Sequence, residues 1–296
     1  MVMHSQRYSG PTFRFVFFGT SFFATEILNA LEQYGLSPSL IVATPDTPQG
    51  RKLILTPPPT KVWAESRGIQ VFQPETLKDG VALKRLTQEN ADLFLVASYG
   101  KIIPQAIFDL PRRKTLNIHP SLLPKLRGAS PIQTAIVSDT RDTGVTIIQI
   151  DEKMDHGPIV AQEKLNLTEW PVTTTELKTI SAKKAVEILV KALPDWLSGR
   201  VAPTPQDEAE ATFTKMITKA DGEISLSSDP YQNFLKIKAY TPWPGTYFFV
   251  KNGDTDVRVI IKSAIYKNKT LEILRIIPEG KKEMNYSDFL KGLKNH

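Results

Sequence analysis

Apolar residues in the first two thirds of the chain form short continuous runs, separated by stretches in which they recur at helical spacing. Continuous runs of this length are typical of strands that are buried on both faces. They lie at residues 13–18, 40–43, 71–72, 93–97, 116–118 and 145–150. Helical spacing follows at 21–34, where Ser21 is a suitable cap, and at 61–67, 83–88 and 173–197. This alternation predicts an α/β fold with a Rossmann-like, mostly parallel sheet covered on both faces.

The pattern changes after residue 200. Residues 201–210 are proline-rich, polar and acidic, which is typical of an interdomain linker. A helix is predicted at 231–240, and an Asn252-Gly253 turn indicates a hairpin. Strand-like runs at 247–250, 257–265 and 271–277 predict a small, OB-like β-barrel. We therefore divide the chain into an N-terminal extension (1–12), a catalytic domain (13–200), a linker (201–210) and a C-terminal β-barrel domain (211–296).

Composition excludes several classes of site. The chain has no cysteine, which excludes disulfides and thiolate metal sites, and its four histidines lack the paired spacing of metal ligands. No metal is therefore expected. No apolar run is long enough to span a membrane, and residues 1–11 lack the apolar core of a secretory signal. We expect a cytoplasmic protein that is monomeric and does not bind membranes.

The positive charge is concentrated in the last third of the chain. The net charge is +6, and residues 211–296 contain 14 Lys and Arg against 9 Asp and Glu, a net of +5. A solvated lysine-rich surface and a polyanion-binding module are both compatible with this excess. The second is of interest because phosphate contacts dominate affinity for nucleic acids.

Candidate chemistry follows two of the predicted strands. Asn117 and His119 are two residues apart, so an extended strand places both side chains on one face. Asp155 follows the next strand, and polar groups past the carboxyl ends of strands are where open α/β sheets bind ligands. An amide and an imidazole can donate to a developing oxyanion, and a carboxylate can orient the imidazole. A structural His119 and a turn-forming Asp155 are the alternatives that the spacing alone leaves open.

Other catalytic and cofactor motifs are missing from the sequence. Gly19-Thr20-Ser21 follows the first strand but has one of the three glycines of a dinucleotide fingerprint, which argues against a nicotinamide cofactor. There is no cysteine and no G-x-S-x-G motif to supply an activated nucleophile. Direct attack by a substrate amine is therefore favoured over a covalent enzyme intermediate.

The central block of the sequence resembles the signature of the folate-dependent formyltransferases. It comprises N-I-H-P-S-L-L-P at 117–124, R-G-A-S-P-I-Q at 127–133 and M-D-H-G at 154–157. Residues 44–61 resemble the substrate loop of the branch that acts on methionyl-tRNA, and residues 277–284 resemble its carboxyl-terminal signature. The resemblance extends over residues 13–296.

This resemblance implies transfer of a formyl group from 10-formyltetrahydrofolate to the α-amine of methionine on initiator methionyl-tRNA. Asn117 and His119 would stabilise the oxyanion, and Asp155 would hold His119 and relay a proton. Arg51 would contact the tRNA acceptor end, and the basic last third would bind the acceptor arm. The folate site would be lined by Ser121, Leu122, Leu123 and Pro124, with residues 96–100 nearby.

Two other functions are compatible with parts of this pattern. A formyltransferase acting on a nucleotide-linked amino sugar would keep the same three catalytic residues and change the acceptor. Arg51 and the Lys281-Lys282 pair argue against it. A catalytically silent nucleic-acid-binding protein on this scaffold would have no need of Asn117, His119 and Asp155 together.

Overall fold

The computed structural model describes residues 7–50, 53–252 and 255–294. Its strands, in chain order, are β1 (Phe15–Gly19), β2 (Leu40–Val42), β3 (Thr47–Gln49), β4 (Ile54–Thr56), β5 (Gln70–Phe72), β6 (Leu93–Ala97), β7 (Thr115–His119), β8 (Arg127–Gly128), β9 (Gly144–Gln149), β10 (Ile159–Lys164), β11 (Phe213–Thr214), β12 (Thr246–Asn252), β13 (Thr255–Lys267), β14 (Thr270–Pro278) and β15 (Met284–Asn285). Its helices are α1 (Phe22–Gln33), α2 (Pro59–Glu65), α3 (Gly80–Gln88), α4 (Gln105–Phe108), α5 (Pro131–Val137), α6 (Thr174–Ser198), α7 (Pro230–Tyr240) and α8 (Tyr286–Lys294).

The chain forms two compact units, and each is discontinuous in sequence. The first contains the residues up to Arg127 together with Thr143–Leu165 and Lys178–Phe213. The second contains Gly128–Asp142, Asn166–Leu177 and the residues from Thr214 onward. A pattern read along the chain yields continuous segments, so it does not detect the two short insertions that join the second unit. No helix in the described parts of the chain is both long and apolar enough to cross a bilayer.

A seven-stranded sheet forms the centre of the first unit, in the order β10-β9-β7-β6-β1-β2-β5. The five strands from β7 to β5 run parallel to one another, which confirms the predicted Rossmann-like α/β class. β9, however, runs antiparallel to β7, and β10 runs antiparallel to β9. An apolar run has the same pattern in either direction, so the connection and not the run decides the direction of a strand.

Two apolar clusters cover the opposite faces of this sheet. On β1, Phe15 and Phe17 belong to a cluster that includes residues of α1 and α6. Val16 and Phe18 belong to the other cluster, which includes residues of α3 and α4. Since alternate residues of a strand point to opposite faces, the sheet is covered on both faces as predicted.

Helix α1 shows how local sequence builds the layer on the first face. The Ser21 hydroxyl accepts a hydrogen bond from the Ala24 amide at 3.4 Å, which satisfies one of the amides exposed at a helix start. The apolar residues at helical spacing, Phe23, Ile27, Leu28 and Leu31, are all buried. The predicted cap and the predicted buried face are therefore confirmed.

The second unit contains an antiparallel sheet in the order β12-β13-β14-β15, which confirms the expected C-terminal β structure. Apolar residues of these strands and of α7 and α8 form its core. The predicted turn at Asn252-Gly253 lies partly outside the described residues. A second turn, at Asn268 and Lys269, joins β13 to β14, and both of its residues have positive φ as the tightest hairpin turns require.

A buried carboxylate ties β1, α3 and the start of β2 together in the first unit. The Glu89 side chain is 7% exposed and accepts hydrogen bonds from Arg14 (2.8 Å), Ser39 (3.2 Å) and Arg85. Burial raises the pKa of Glu89, but the hydrogen bonds from the two guanidinium groups outweigh it, so the pKa lies below its ordinary value. The ionised form is thus the one that stabilises the fold.

We predict that Glu89→Gln lowers the free energy of unfolding by about 2 kcal/mol at pH 7, because two charge-assisted hydrogen bonds are lost. The wild-type advantage is present above the unfolded pKa of about 4.3 and is lost as the pH falls through the lowered folded pKa. Urea unfolding of both proteins between pH 7 and pH 3 measures it. The control is Glu187→Gln, which removes a surface pair with Lys184 and Lys191 and should cost under about 1 kcal/mol. A difference between wild type and Glu89→Gln that is independent of pH would contradict this role.

Candidate active site

Three of the predicted site residues converge at the end of β7. The Asn117 side-chain amide donates to the Asp155 carboxylate at 3.3 Å. The His119 Nδ1 atom lies 3.5 Å from the same carboxylate oxygen. Asn117 and His119 are on one face of β7, as the spacing predicts, and the carboxylate lies between them. The structure therefore brings together an amide, an imidazole and a carboxylate.

The other side of the His119 ring faces a backbone carbonyl. The His119 Nε2 atom is 3.0 Å from the Leu126 oxygen, and the imidazole is almost fully buried. Both ring nitrogens therefore have an oxygen partner, which fixes the plane of the ring. Leu126 has φ +60° and Asp155 has φ +50°. Both residues that contact the ring therefore have a left-handed backbone conformation, which residues other than glycine rarely adopt. Strained backbone of this kind clusters at functional sites.

Asp155 reaches this position by a route that the sequence does not predict. Because β9 is antiparallel to β7, its carboxyl end lies beside the amino end of β7, where Gln149 pairs with Leu116. The carboxyl ends of β7 and β9 thus lie at opposite edges of the sheet. The prediction that Asp155 enters the site from the carboxyl end of a strand parallel to β7 is therefore wrong. The segment between β9 and β10 turns back along the sheet and carries Asp155 to the far end of β7. A Cβ at Gly157 would lie 1.8 Å from the Gln149 oxygen, so this return requires glycine.

The loop at residues 120–125 is fixed by hydrogen bonds to side chains of β9 and β10. The Thr146 hydroxyl donates to the Ser121 carbonyl at 2.6 Å and accepts from the Leu123 amide at 3.1 Å. Gln162 on β10 donates to the Leu123 carbonyl and to the Thr146 hydroxyl, both at 2.8 Å. The loop is thus positioned before any ligand binds.

The four loop residues predicted to line a folate site differ in their orientation. Ser121 and Leu123 are buried, and the Ser121 hydroxyl donates to the Lys125 carbonyl at 2.6 Å. Leu122 and Pro124 are partly exposed. Side-chain contact with a ligand is therefore open to Leu122 and Pro124, whereas Ser121 and Leu123 support the loop from inside.

The neighbouring loop at 98–101 leaves the same edge of the sheet, because β6 and β7 are parallel and Val96 pairs with Asn117. The Thr20 hydroxyl donates to the Tyr99 carbonyl at 2.9 Å and connects the loop after β1 to it. Tyr99 packs edge-on against Phe18 with ring centroids 5.5 Å apart. Burial raises the pKa of Tyr99 to about 12, so its hydroxyl stays neutral at physiological pH. The loops that follow β6 and β7 and the segment that carries Asp155 therefore meet at the end of β7.

Comparison with known proteins agrees with this geometry. A formyl transferase family model matches residues 13–193. The chain is 41% identical over 239 residues to the methionyl-tRNA formyltransferase of Chloroflexus aurantiacus, an alignment that spans 80% of this chain and 76% of the relative. It is 35% identical over 299 residues to that of Thermodesulfovibrio yellowstonii, with 94% and 96% covered. The chain belongs to the formyl transferase family.

The family assignment confirms the prediction of a formyl-transfer enzyme. Among solved structures, HypX from Aquifex aeolicus in complex with tetrahydrofolic acid superposes with a TM-score of 0.65 at 16% identity. The match covers 96% of this chain and 48% of HypX. At this identity the likeness concerns the fold alone, and it agrees with the mostly parallel sheet described above.

Several residues at the site carry no signal that sequence reasoning detected. Arg127 is buried at 2% exposure, and its guanidinium donates to Gln206 and Glu208. Arg127 is the first residue of the signature block at 127–133, but its charge gives no indication of burial. Gln206 and Glu208 lie in the segment predicted to be a solvated linker, because acidic and proline-rich composition is typical of linkers. Thr146 and Gln162 are polar residues of strands, and their partners are distant in sequence.

The predicted tRNA contact Arg51 lies outside the described residues. Residues on either side of it form the hairpin of β3 and β4, in which Thr47 pairs with Thr56. Leu53, Ile54 and Leu55 of this hairpin are between 63% and 71% exposed. The hairpin therefore presents an apolar ridge to solvent.

We predict that Thr146→Val destabilises the protein by about 3 kcal/mol, because an isosteric methyl group leaves buried partners of the loop unpaired. Thermal and urea unfolding measure the loss. Thr87→Val is the matched control, since the Thr87 hydroxyl is on the surface of α3 and bonds only to its own helix at Leu83. It should change stability by no more than about 0.5 kcal/mol. Equal effects of the two substitutions would refute the support assigned to Thr146.

Proposed function

We propose that the protein transfers the formyl group of 10-formyltetrahydrofolate to the α-amine of methionine on initiator methionyl-tRNA. The observation that carries the proposal is the convergence of Asn117, His119 and Asp155. One oxygen of the Asp155 carboxylate lies within 3.5 Å of both the Asn117 amide nitrogen and the His119 Nδ1 atom. The choice of acceptor is supported by the relatives, which are named methionyl-tRNA formyltransferases at 41% and 35% identity.

Asn117 and His119 are suited to stabilise charge on the formyl oxygen. When the amine attacks the formyl carbon, negative charge develops on that oxygen, and donors already in position lower the barrier. The Asn117 amide has two N–H donors and directs one of them at Asp155, and the His119 Nδ1 atom lies 3.5 Å from Asp155, beyond ordinary hydrogen-bond length, so both residues have a donor for that oxygen when the ring carries a proton on Nδ1. Each oxyanion donor of this kind contributes about 10²–10³ in rate.

Asp155 is suited to hold His119 and to move a proton. In the reaction a bond forms between the amine nitrogen and the formyl carbon, and the bond from that carbon to the folate nitrogen breaks. One proton must pass from the amine to the folate nitrogen. Asp155 can accept it and return it, directly or through a water molecule, because its carboxylate lies beside both His119 and Asn117.

The loops at the end of β7 fit a folate in their chemistry. The loop at 120–125 offers the partly exposed Leu122 and Pro124, and the neighbouring loop at 98–101 comes from the adjacent parallel strand. Apolar walls with backbone donors and acceptors are the usual lining of a site for a flat heterocycle. Bound there, the folate would supply the formyl group. Ser121 and Leu123 would act by keeping the loop rigid.

The acceptor end of a tRNA would be bound through electrostatic attraction between its phosphates and basic side chains. Residues 211–296 carry a net of +5, and phosphate contacts with Lys and Arg dominate affinity for nucleic acids. Arg51 is proposed as a contact to the acceptor end, and the exposed Leu53 and Ile54, which follow it closely in sequence, offer apolar surface to unpaired bases. A formyltransferase acting on a nucleotide-linked amino sugar is the second candidate, and these basic and apolar groups have no evident use in it.

A side-by-side formylation assay tests the acceptor. We expect the purified protein to use 10-formyltetrahydrofolate with methionyl initiator tRNA and to leave a nucleotide-linked amino sugar unmodified. Release of tetrahydrofolate and mass analysis of each acceptor measure the two reactions. Formylation of the amino sugar alone would refute the proposed acceptor while leaving the chemistry of Asn117, His119 and Asp155 in place.

We predict that His119→Ala and Asp155→Asn each reduce kcat by about 10² or more, because each removes a group that acts on the reacting atoms. Binding of tRNA should persist in both variants. His156→Ala is a control at the neighbouring position, since its two ring nitrogens face Asp151 and Glu208. It should retain most of the wild-type kcat. Turnover at the wild-type level in either catalytic variant would remove that residue from the mechanism.

A further inference from the structure

We infer that residues 204–212, most of which fall in the predicted linker at 201–210, form a strap that positions both partners of the His119 ring, with Gln206 as the principal positioning residue. The inference rests on the proposed function, because it assigns a role in the same reaction. The strap and all the groups that it contacts belong to the first compact unit. None of its side chains is required to touch a substrate.

The strap is attached to the sheet at its beginning. The Thr204 amide donates to the Ile159 carbonyl at 2.9 Å, and the Ile159 amide donates to the Thr204 carbonyl at 2.7 Å. This reciprocal pair is an antiparallel bridge to the first residue of β10. The position of the strap is thereby set two residues before Gln206.

Gln206 holds the Asp155 turn through two hydrogen bonds. Its side-chain nitrogen donates to the Asp155 carbonyl at 2.9 Å and to the Gly157 carbonyl at 2.8 Å. Asp155 has φ +50°, a conformation that costs energy for a residue with a side chain and that persists when its surroundings hold it. Gln206 binds both ends of this turn and so fixes the direction in which the Asp155 carboxylate points.

Arg127 fixes the orientation of the Gln206 amide. The Gln206 oxygen accepts from Arg127 Nε at 3.1 Å and from Nη2 at 2.8 Å. A guanidinium can only donate and a backbone carbonyl can only accept, so the amide cannot be reversed. Glu208 binds the same guanidinium at 2.6 Å and 3.0 Å and balances the charge of a side chain that is 2% exposed. Its hydrogen bonds with Arg127 lower the pKa of Glu208, so this balance holds at neutral pH.

The far end of the strap holds the second partner of the ring. The Leu126 amide donates to the Thr212 hydroxyl at 2.8 Å, and the Arg127 amide donates to the Thr212 carbonyl at 2.8 Å. Leu126 has φ +60° and supplies the carbonyl that binds His119 Nε2. One segment therefore supports the carboxylate on one side of the imidazole and the carbonyl on the other.

Two substitutions at Gln206 test its role in the full-length protein. Gln206→Leu removes both the donor and the acceptor. Gln206→Glu keeps an oxygen that accepts from Arg127. It replaces the nitrogen that donates to the Asp155 and Gly157 carbonyls with a second acceptor oxygen. We expect both to lower kcat by about 10- to 100-fold, because a displacement of about 1 Å at a reacting group has effects of this size. The KM values for folate and for tRNA should stay within about threefold of wild type.

Glu210→Gln is the matched control, because Glu210 lies on the same strap and its carboxylate pairs with the exposed Lys125 side chain at 3.8 Å rather than with Arg127 or the Asp155 turn. It should retain the wild-type kcat. Assays are made well below the melting temperature of each variant, so that a loss of stability alone leaves kcat unchanged. A wild-type kcat in Gln206→Leu and Gln206→Glu, a change confined to KM, or an equal fall in Glu210→Gln would each overturn the assignment.

The same experiment separates this inference from the choice of acceptor. If the wild-type protein formylates the amino sugar and not methionyl-tRNA, the proposed acceptor is wrong, and the kcat comparison is made with the sugar. A fall in kcat there still supports the positioning role of Gln206. If the wild-type protein transfers a formyl group to neither acceptor, both proposals are overturned.

Discussion

The antiparallel pairing of β7 with β9 sets the position of almost every group at the candidate active site. Thr146 lies opposite His119 in this ladder, which places its hydroxyl under the loop at 120–125. The same pairing directs the end of β9 away from the end of β7. The chain must therefore return along the sheet, and this return delivers Asp155 to the imidazole. A parallel β9 would leave neither Thr146 nor Asp155 in its present place.

This arrangement requires backbone conformations that are unfavourable by themselves. Leu126 and Asp155 both have positive φ, and each carries a group that contacts the His119 ring. Such conformations persist where surrounding hydrogen bonds determine them. Here those bonds come from Gln206, in the segment whose composition is that of a linker, and from Thr212, two residues beyond its predicted end. Polar groups that look solvated in the sequence are thus part of the support of the site.

The groups proposed for the chemistry and those proposed for acceptor recognition lie in different parts of the sequence. The groups suited to formyl transfer lie in the first unit, on the end of β7 and the loops around it. The excess of positive charge lies in residues 211–296, most of which belong to the second unit. On the proposed roles, a change of acceptor would require no change in Asn117, His119 or Asp155. This is why these three residues indicate the reaction more strongly than they indicate the substrate.

The sequence by itself determined the features that depend on neighbouring residues. Apolar runs located β1, β6 and β7, Ser21 marked the start of α1, and the period of a strand placed Asn117 and His119 on one face. Short or mostly polar elements such as β10 and α4 were not predicted, because their patterns of apolar residues are weak. The tertiary structure alone decided the direction of β9, the approach of Asp155 over 38 residues, and the burial of Arg127 against Gln206. These depend on how the chain returns to the sheet, and a local pattern of apolar and polar residues carries no record of that path.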